Sequence, residues 1–166
     1  MINRLFIIIS LLFTLIYSAD TEEYVLLISM DGFRYDYLNK ANTPNFDKLL
    51  KNGVTSRALI PVFTSKTFPN HYSIATGMYA ENHGLIANTF YATDLDKPYA
   101  IRDRNAVENG QFYGGEPIWV TAERQGVKTA SYFWVGTEAS INGVQPSYWK
   151  KYDQKVSFQS RIDSVI

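Results

Sequence analysis

Two short stretches of this sequence carry side chains whose types and surroundings could do chemistry. Asp31 follows an apolar run directly and is itself followed by Gly32. A carboxylate at the end of a buried strand sits where open α/β sheets bind ligands, beyond the carboxyl ends of the strands. Its hard oxygens suit a divalent cation. An aspartate at such a junction also caps the backbone amides of a turn, and position alone leaves both roles open. The second stretch is Lys66-Thr67-Phe68-Pro69-Asn70-His71. Thr67 falls at the start of a predicted helix, where first-turn amides and the helix dipole favour an anion such as phosphate. Its hydroxyl reads either as a helix cap or as a nucleophile, and a threonine nucleophile needs a base or a metal to stabilise its alkoxide. His71 lies one turn further along the same helix, while Lys66 reads as a solvated surface lysine.

The elements that must hold these residues alternate in type. Residues 24–29, Tyr-Val-Leu-Leu-Ile-Ser, form an unbroken apolar run that stops at Asp31-Gly32. Such a run suits a strand buried on both faces of a parallel sheet. Thr43-Pro44 then predicts a helix start, with Phe46, Leu49 and Leu50 at helical spacing and Asn52-Gly53 as its stop. Residues 54–63 read as a second strand, and 68–76 as a helix with Thr67 at its cap and Gly77 beyond its end. The charged, aromatic stretch 92–115 predicts a long surface excursion. Pro117 opens a helix that runs to Gln125, residues 127–134 read as a strand, and 156–166 carry Phe158, Ile162 and Val165 at helical spacing. The expected class is therefore α/β, a largely parallel sheet flanked by helices.

Composition narrows the function. With 46% apolar and 15% aromatic residues, the chain has a core to bury and is no disordered tail. Sixteen basic side chains balance sixteen acidic ones, so the charge footprint of a nucleic-acid binder is missing. The absence of cysteine excludes disulfides, thiol catalysis and thiolate metal sites, and leaves metals bound by Asp, Glu or His open. At the N-terminus, Arg4, the apolar run from Leu5 to Tyr17 and small residues at 18–19 have the layout of a secretory signal peptide over 1–18, with the mature chain following Ser18. The run is shorter than the ~20 residues of a membrane span, so secretion is expected, with a signal-anchored form as the alternative.

Taken together, the motifs resemble the nucleotide pyrophosphatase/phosphodiesterase family, within the alkaline phosphatase-like superfamily. The resemblance rests on Ser29-Met30-Asp31-Gly32-Phe33-Arg34, on Lys66-Thr67-Phe68-Pro69-Asn70-His71-Tyr72 and on Thr76-Gly77-Met78-Tyr79. Glu81-Asn82-His83-Gly84, Asn88, Gly115-Glu116-Pro117-Ile118-Trp119, Phe133-Trp134 and Ile141-Asn142-Gly143 continue it in order. It covers residues 24–166, the expected N-terminal portion of a catalytic domain. It implies an α/β fold with two zinc ions at the C-terminal edge of the sheet. Asp31 matches a zinc-ligating aspartate, Thr67 a zinc-bound nucleophile and Asn88 an asparagine that holds a phosphate oxygen. Phe68, Trp134 and Tyr152 match aromatic contacts of a nucleotide base, although Val135 departs from the proline that many relatives carry after the tryptophan.

The implied reaction is two-step hydrolysis of nucleotide phosphodiester or pyrophosphate bonds through a nucleotidyl-threonine, releasing a nucleoside 5′-monophosphate. Some members of the family act instead on lysophospholipids or choline phosphodiesters. Neither His71 nor His83 falls at a ligand position of the family; His71 reads as a helix-packing residue or one that supports a site residue from behind, and His83 as a loop residue. The family's remaining Asp and His ligands match positions beyond 166, so this chain is expected to be inactive by itself. The alternative is an inactive remnant or a binding module with an incomplete metal site. A small phosphodiester substrate is the expected partner, with no nucleic-acid duplex and no defined protein partner.

Overall fold

The computed structural model describes residues 23–165, and the expected leader over 1–18 lies outside them. The chain divides into two units, 1–30 and 31–166. In the first, the described residues 23–30 take no regular structure, and Val25 is 91% exposed. The strand expected over 24–29 is therefore not formed. The strand expected over 54–63 is absent as well, with Ile60 87% exposed. Both corrections have one physical cause. A strand exists only where a neighbour forms a ladder with its amides and carbonyls, and among the described residues neither run belongs to a sheet.

Within residues 31–166, helices form where local signals are strongest. Helix α1, Pro44–Asn52, begins with proline at its first position, although the Thr43 hydroxyl makes no capping bond. None of its residues is buried. Helix α2, Thr67–Thr76, starts one residue earlier than expected, so Thr67 lies inside the first turn and Lys66 is the cap residue. It ends at Gly77, whose φ of 68° is the left-handed conformation that glycine adopts without a Cβ penalty, and its N–H closes on the Ser73 carbonyl. Helix α3, Ala80–His83, follows at once.

The stretch 92–115 is not a surface excursion. Strands β1, Thr89–Ala92, and β2, Lys97–Ala100, form an antiparallel hairpin with Phe90 opposite Tyr99. The hairpin closes at its base, where the Ile101 N–H donates to the Asn88 carbonyl at 3.0 Å. Helix α4, Arg104–Val107, is capped by the Asp103 carboxylate, and a 3₁₀ turn over Gly110–Phe112 follows. Together they deliver Tyr99, Val107, Phe112 and Tyr113 to one buried cluster with Tyr72, Leu85, Trp119, Val120 and Ile141. The charged residues of this stretch stay on turns and outer faces while its aromatics turn inward, a division that a tally of polar residues hides.

Helix α5, Ile118–Arg124, follows Pro117. Strand β3, Ala130–Tyr132, pairs in parallel with β4, Tyr148–Lys150. The Glu123 carboxylate ties these three elements. It accepts from the Thr129 N–H and hydroxyl at 2.7 Å each, and from the Ser147 N–H and hydroxyl at 2.8 and 2.9 Å. Those bonds, led by the Thr129 hydroxyl, hold its pKa down at about 2. Helix α6, Phe158–Asp163, is capped by Ser157. Its Arg161 guanidinium lies 5.0 Å from the Phe133 ring centroid and 5.2 Å from that of Phe158. The class is α/β as expected, but its sheet consists, among the described residues, of one parallel pair and one antiparallel hairpin. No helix among these residues is long and apolar enough to cross a membrane.

Candidate active site

The first turn of α2 is where the chemistry converges. The Thr67 hydroxyl donates to Asp31 Oδ2 at 3.3 Å, joining residues 36 positions apart. One residue on, the Phe68 N–H donates to Asn88 Oδ1 at 3.1 Å. That bond satisfies one of the amides left without a partner at a helix start. It also fixes the orientation of the Asn88 amide: with Oδ1 engaged, the two Nδ2 hydrogens remain as donors for an anion at the helix N-terminus.

Asn70, which sequence reading passes over, builds the floor of this turn. Its Oδ1 accepts the Val62 N–H at 2.8 Å, while its Nδ2 donates to the Thr64 and Lys66 carbonyls at 3.0 and 2.9 Å. The irregular segment leading into Thr67 is thereby stitched to the helix that follows. Asparagine three positions after a proposed active hydroxyl is the only trace of this in the sequence. Lys66 is exposed, as expected.

The aromatic candidates fall into two places. Phe68 packs edge-on against Tyr99 at 6.5 Å and is partly buried on the core. Trp134 lies against α2: its indole N–H donates to the His71 carbonyl at 3.2 Å, and its ring meets the His71 ring edge-on at 5.7 Å. His71 Nδ1 lies 2.8 Å from the Thr67 carbonyl, so this histidine packs on the helix as expected. Tyr152 meets neither of them directly but packs beside Trp134's neighbour. It packs on Phe133 at 5.2 Å and lines an open hollow of about 420 Å³ with Ile101, Arg102, Arg104 and residues 153–155. Asp31, Thr67, Phe68 and Asn88 do not line that hollow.

His83 corrects the expectation of a loop residue. It ends α3 and is 1% exposed, with one ring nitrogen on Ser73 and the other taking the Leu85 N–H. Burial lowers its pKa below the ordinary histidine value.

The donor set at Asp31 and Thr67 can be tested against a metal ion. Two oxygens bound to one tetrahedral zinc at ~2.0–2.2 Å lie about 3.3–3.6 Å apart, and the observed Asp31–Thr67 separation is 3.3 Å. The pair therefore has the spacing of two ligands of one ion. No group of three or more His, Cys, Asp or Glu residues with metal-site geometry occurs among the described residues.

A family model described as type I phosphodiesterase/nucleotide pyrophosphatase matches residues 25–166. The chain belongs to this family. Its relatives include ectonucleotide pyrophosphatase/phosphodiesterase family member 3 of Bos taurus, 44% identical over 144 residues, and a venom phosphodiesterase of Naja atra, 42% identical over the same length. Each alignment covers 86% of this chain, but only 16% and 17% of those proteins. Among solved structures, murine ectonucleotide pyrophosphatase/phosphodiesterase 5 superposes with a TM-score of 0.81 at 38% identity, covering 86% of this chain and 38% of that one. A second structure of the murine protein is an inactive variant with a threonine-to-alanine substitution, in complex with AMP; it matches at a TM-score of 0.81 and 37% identity, covering 87% of this chain and 38% of that one. The fold is accordingly the alkaline phosphatase-like α/β fold of this family, of which the chain spans well under half of each solved relative.

Proposed function

We propose that Thr67 is the nucleophile of a zinc-dependent nucleotide phosphodiesterase site and that Asp31 and Thr67 are ligands of one of its two zinc ions. The observation that carries this reading is the 3.3 Å approach of the Thr67 hydroxyl to Asp31 at the N-terminus of a ten-residue helix. A bound zinc would lower the pKa of the threonine hydroxyl and polarise a phosphoryl oxygen. Thr67 Oγ1 then forms the bond to phosphorus as the leaving group departs, giving a nucleotidyl-threonine, and water cleaves that ester to release a nucleoside 5′-monophosphate. Asn88 Nδ2 and the free amides of the first turn of α2 hold the phosphate oxygens as charge develops on them. Phe68, Trp134 and Tyr152 are assigned to the base, where stacking on an aromatic face is worth ~1–3 kcal/mol and tolerates different bases.

Support comes from the murine relative, whose inactive threonine-to-alanine variant is solved with AMP. The ecto-enzymes and venom enzymes among the relatives fit export of this chain through the leader expected over 1–18. A second reading, a binding module with an incomplete metal site, has one observation in its favour. No group of three or more His, Cys, Asp or Glu residues that could hold a metal occurs among the described residues, whereas a catalytic zinc takes three protein ligands.

Two measurements separate the readings. Zinc titration of the 166-residue chain should show weak or no uptake, and the chain should not turn over; tight stoichiometric binding would contradict this account of the ligand set. Placed in a complete catalytic domain, the chain should support zinc-dependent release of p-nitrophenol from thymidine 5′-monophosphate p-nitrophenyl ester. There Thr67→Ala should lower turnover by about a thousandfold or more. Retention of full activity by Thr67→Ala would remove the nucleophile assignment, and no turnover by the complete domain would favour the binding module.

A further inference from the structure

His83 is buried, polar and outside the chemistry assigned above, and its two ring nitrogens are committed to different parts of the chain. The Leu85 N–H donates to Nδ1 at 3.1 Å. A nitrogen that accepts from an amide carries no proton, so the proton of the neutral ring is on Nε2. From there it is donated to the Ser73 hydroxyl at 2.9 Å, and Ser73 is a buried residue of α2. The His83 carbonyl is held too, by the Gly114 N–H at 2.8 Å. A Cβ at Gly114 would stand 3.0 Å from that oxygen, so any side chain there would push the two backbones a few tenths of an ångström apart.

From this anchor the chain runs straight to the site. The Ile86 carbonyl accepts the Thr64 hydroxyl at 2.6 Å, and Asn88 Oδ1 accepts the Phe68 N–H. Segment 83–88 thus grips the helix of Thr67 at both ends, with His83 on Ser73 and Asn88 on the first turn. Leu85, fully buried between the two grips, leaves the segment little room to slide. The titratable group facing the imidazole is Tyr72, whose ring meets it edge-on at 5.0 Å while its phenol donates away to the Gly114 carbonyl at 3.0 Å. The recorded hydrogen bonds and ion pairs place no carboxylate or cation on His83.

We propose that neutral His83 is the positioning residue for Asn88, and that protonating it releases the 83–88 segment and with it the cap on the helix of Thr67. Protonation would place a second donor on Nδ1, facing the Leu85 N–H, and two donors cannot share that contact. Burial opposes the charged ring and outweighs the backbone carbonyls of His83 and Pro69 that favour it, so the release belongs to acid below the ordinary histidine value. The functional meaning of this lock rests on the assignment of Asn88 to phosphate given above. The lock itself is a property of the chain and is read without substrate or metal.

Nuclear magnetic resonance on the 166-residue chain tests it, because the chain has two histidines and their ring nitrogens can be followed separately. At neutral pH the His83 ring should carry its proton on Nε2. As pH falls, exchange of the Phe68 amide, corrected for its intrinsic pH dependence, should accelerate about fivefold or more, the change expected when one helix cap is lost. Its midpoint should coincide with titration of His83 and not of His71. In His83→Asn, the Asn Oδ1 can take the Leu85 N–H as an Asx turn but cannot be protonated, and Phe68 exchange should lose the acid response. Protection of Phe68 that stays constant through the His83 titration would overturn the proposal. So would the same acid response in His83→Asn, or a His83 ring that stays neutral until the whole chain unfolds. Should His83→Asn fail to fold, the match or mismatch of midpoints in the unmodified chain decides. None of these readouts depends on Thr67 being a nucleophile, so the two assignments fail separately.

Discussion

Residues 31–66 and residues 67–145 belong to one unit, yet they are built on different principles. The later region makes its own core. Tyr72 is fully buried beneath the rings of His83, Tyr113 and Trp119, and α2 buries four of its ten residues. In the earlier region α1 buries none, and its order comes from local contacts such as the 5.9 Å stack of Phe33 on Phe46 and the Arg34–Asp36 ion pair. The candidate site spans this divide, with Thr67 and Asn88 on the packed side and Asp31 on the other. The lesson is that a hydroxyl and a carboxylate of one site can differ greatly in how firmly the surrounding chain holds them.

Mutations that weigh the two sides should expose the contrast. The largest effect is expected from Tyr72→Ala, which removes a buried ring and its bond to Gly114 and should cost about 3–5 kcal/mol in denaturant unfolding. Its counterpart in α1, Leu49→Ala, truncates a side chain that is 68% exposed and should change stability by about 0.5 kcal/mol or less. Equal losses would dissolve the comparison. An intermediate effect is expected at Glu123, where the sign follows from linkage. Its folded pKa of about 2 lies below the ordinary 4.5. Its contribution is therefore complete above 4.5 and is lost as pH falls toward 2. Thermal melts across that range should show a decline in the unmodified chain that Glu123→Gln lacks. The smallest effect belongs to Arg34→Ala. Its partner Asp36 is held well below the usual carboxylate range, first by the Arg34 bond, yet the pair is open to solvent and should leave the melting temperature unchanged within error, at low and high salt alike.

The same contrast explains what could be read from the sequence. Helices α1, α2 and α5 were legible because their signals are local: proline at the start, glycine beyond the end, apolar residues at helical spacing. Residues 24–29 and 54–63 have the composition of strands, but a strand is a relation between segments, and composition cannot supply the neighbour. The hairpin and α4 were hidden because Asp94, Asp96, Lys97 and Arg102 dominate the text while Tyr99 and Val107 do the packing. At the site, Asp31, Thr67 and Asn88 were singled out through family resemblance; the fold brings Asp31 within 3.3 Å of Thr67 and Asn88 to the same turn, a placement that sequence spacing does not give. The roles of His83 and Asn70 were not legible because a buried histidine and a helix-stitching asparagine leave no periodic trace.

The hairpin closes at its base, where Asn88 receives the Ile101 N–H, while Thr93, Asp94 and Asp96 stand exposed at its far end. Whatever happens at that tip is separated from the Asn88 side chain by the rungs between. Paired insertions there would lengthen the ribbon and keep every side chain on its present face, since the strand repeat is two residues. Exposed tips are where chains accept such additions. The molecule therefore has a place to acquire a new appendage, close in sequence to its candidate site, without redrawing the site itself.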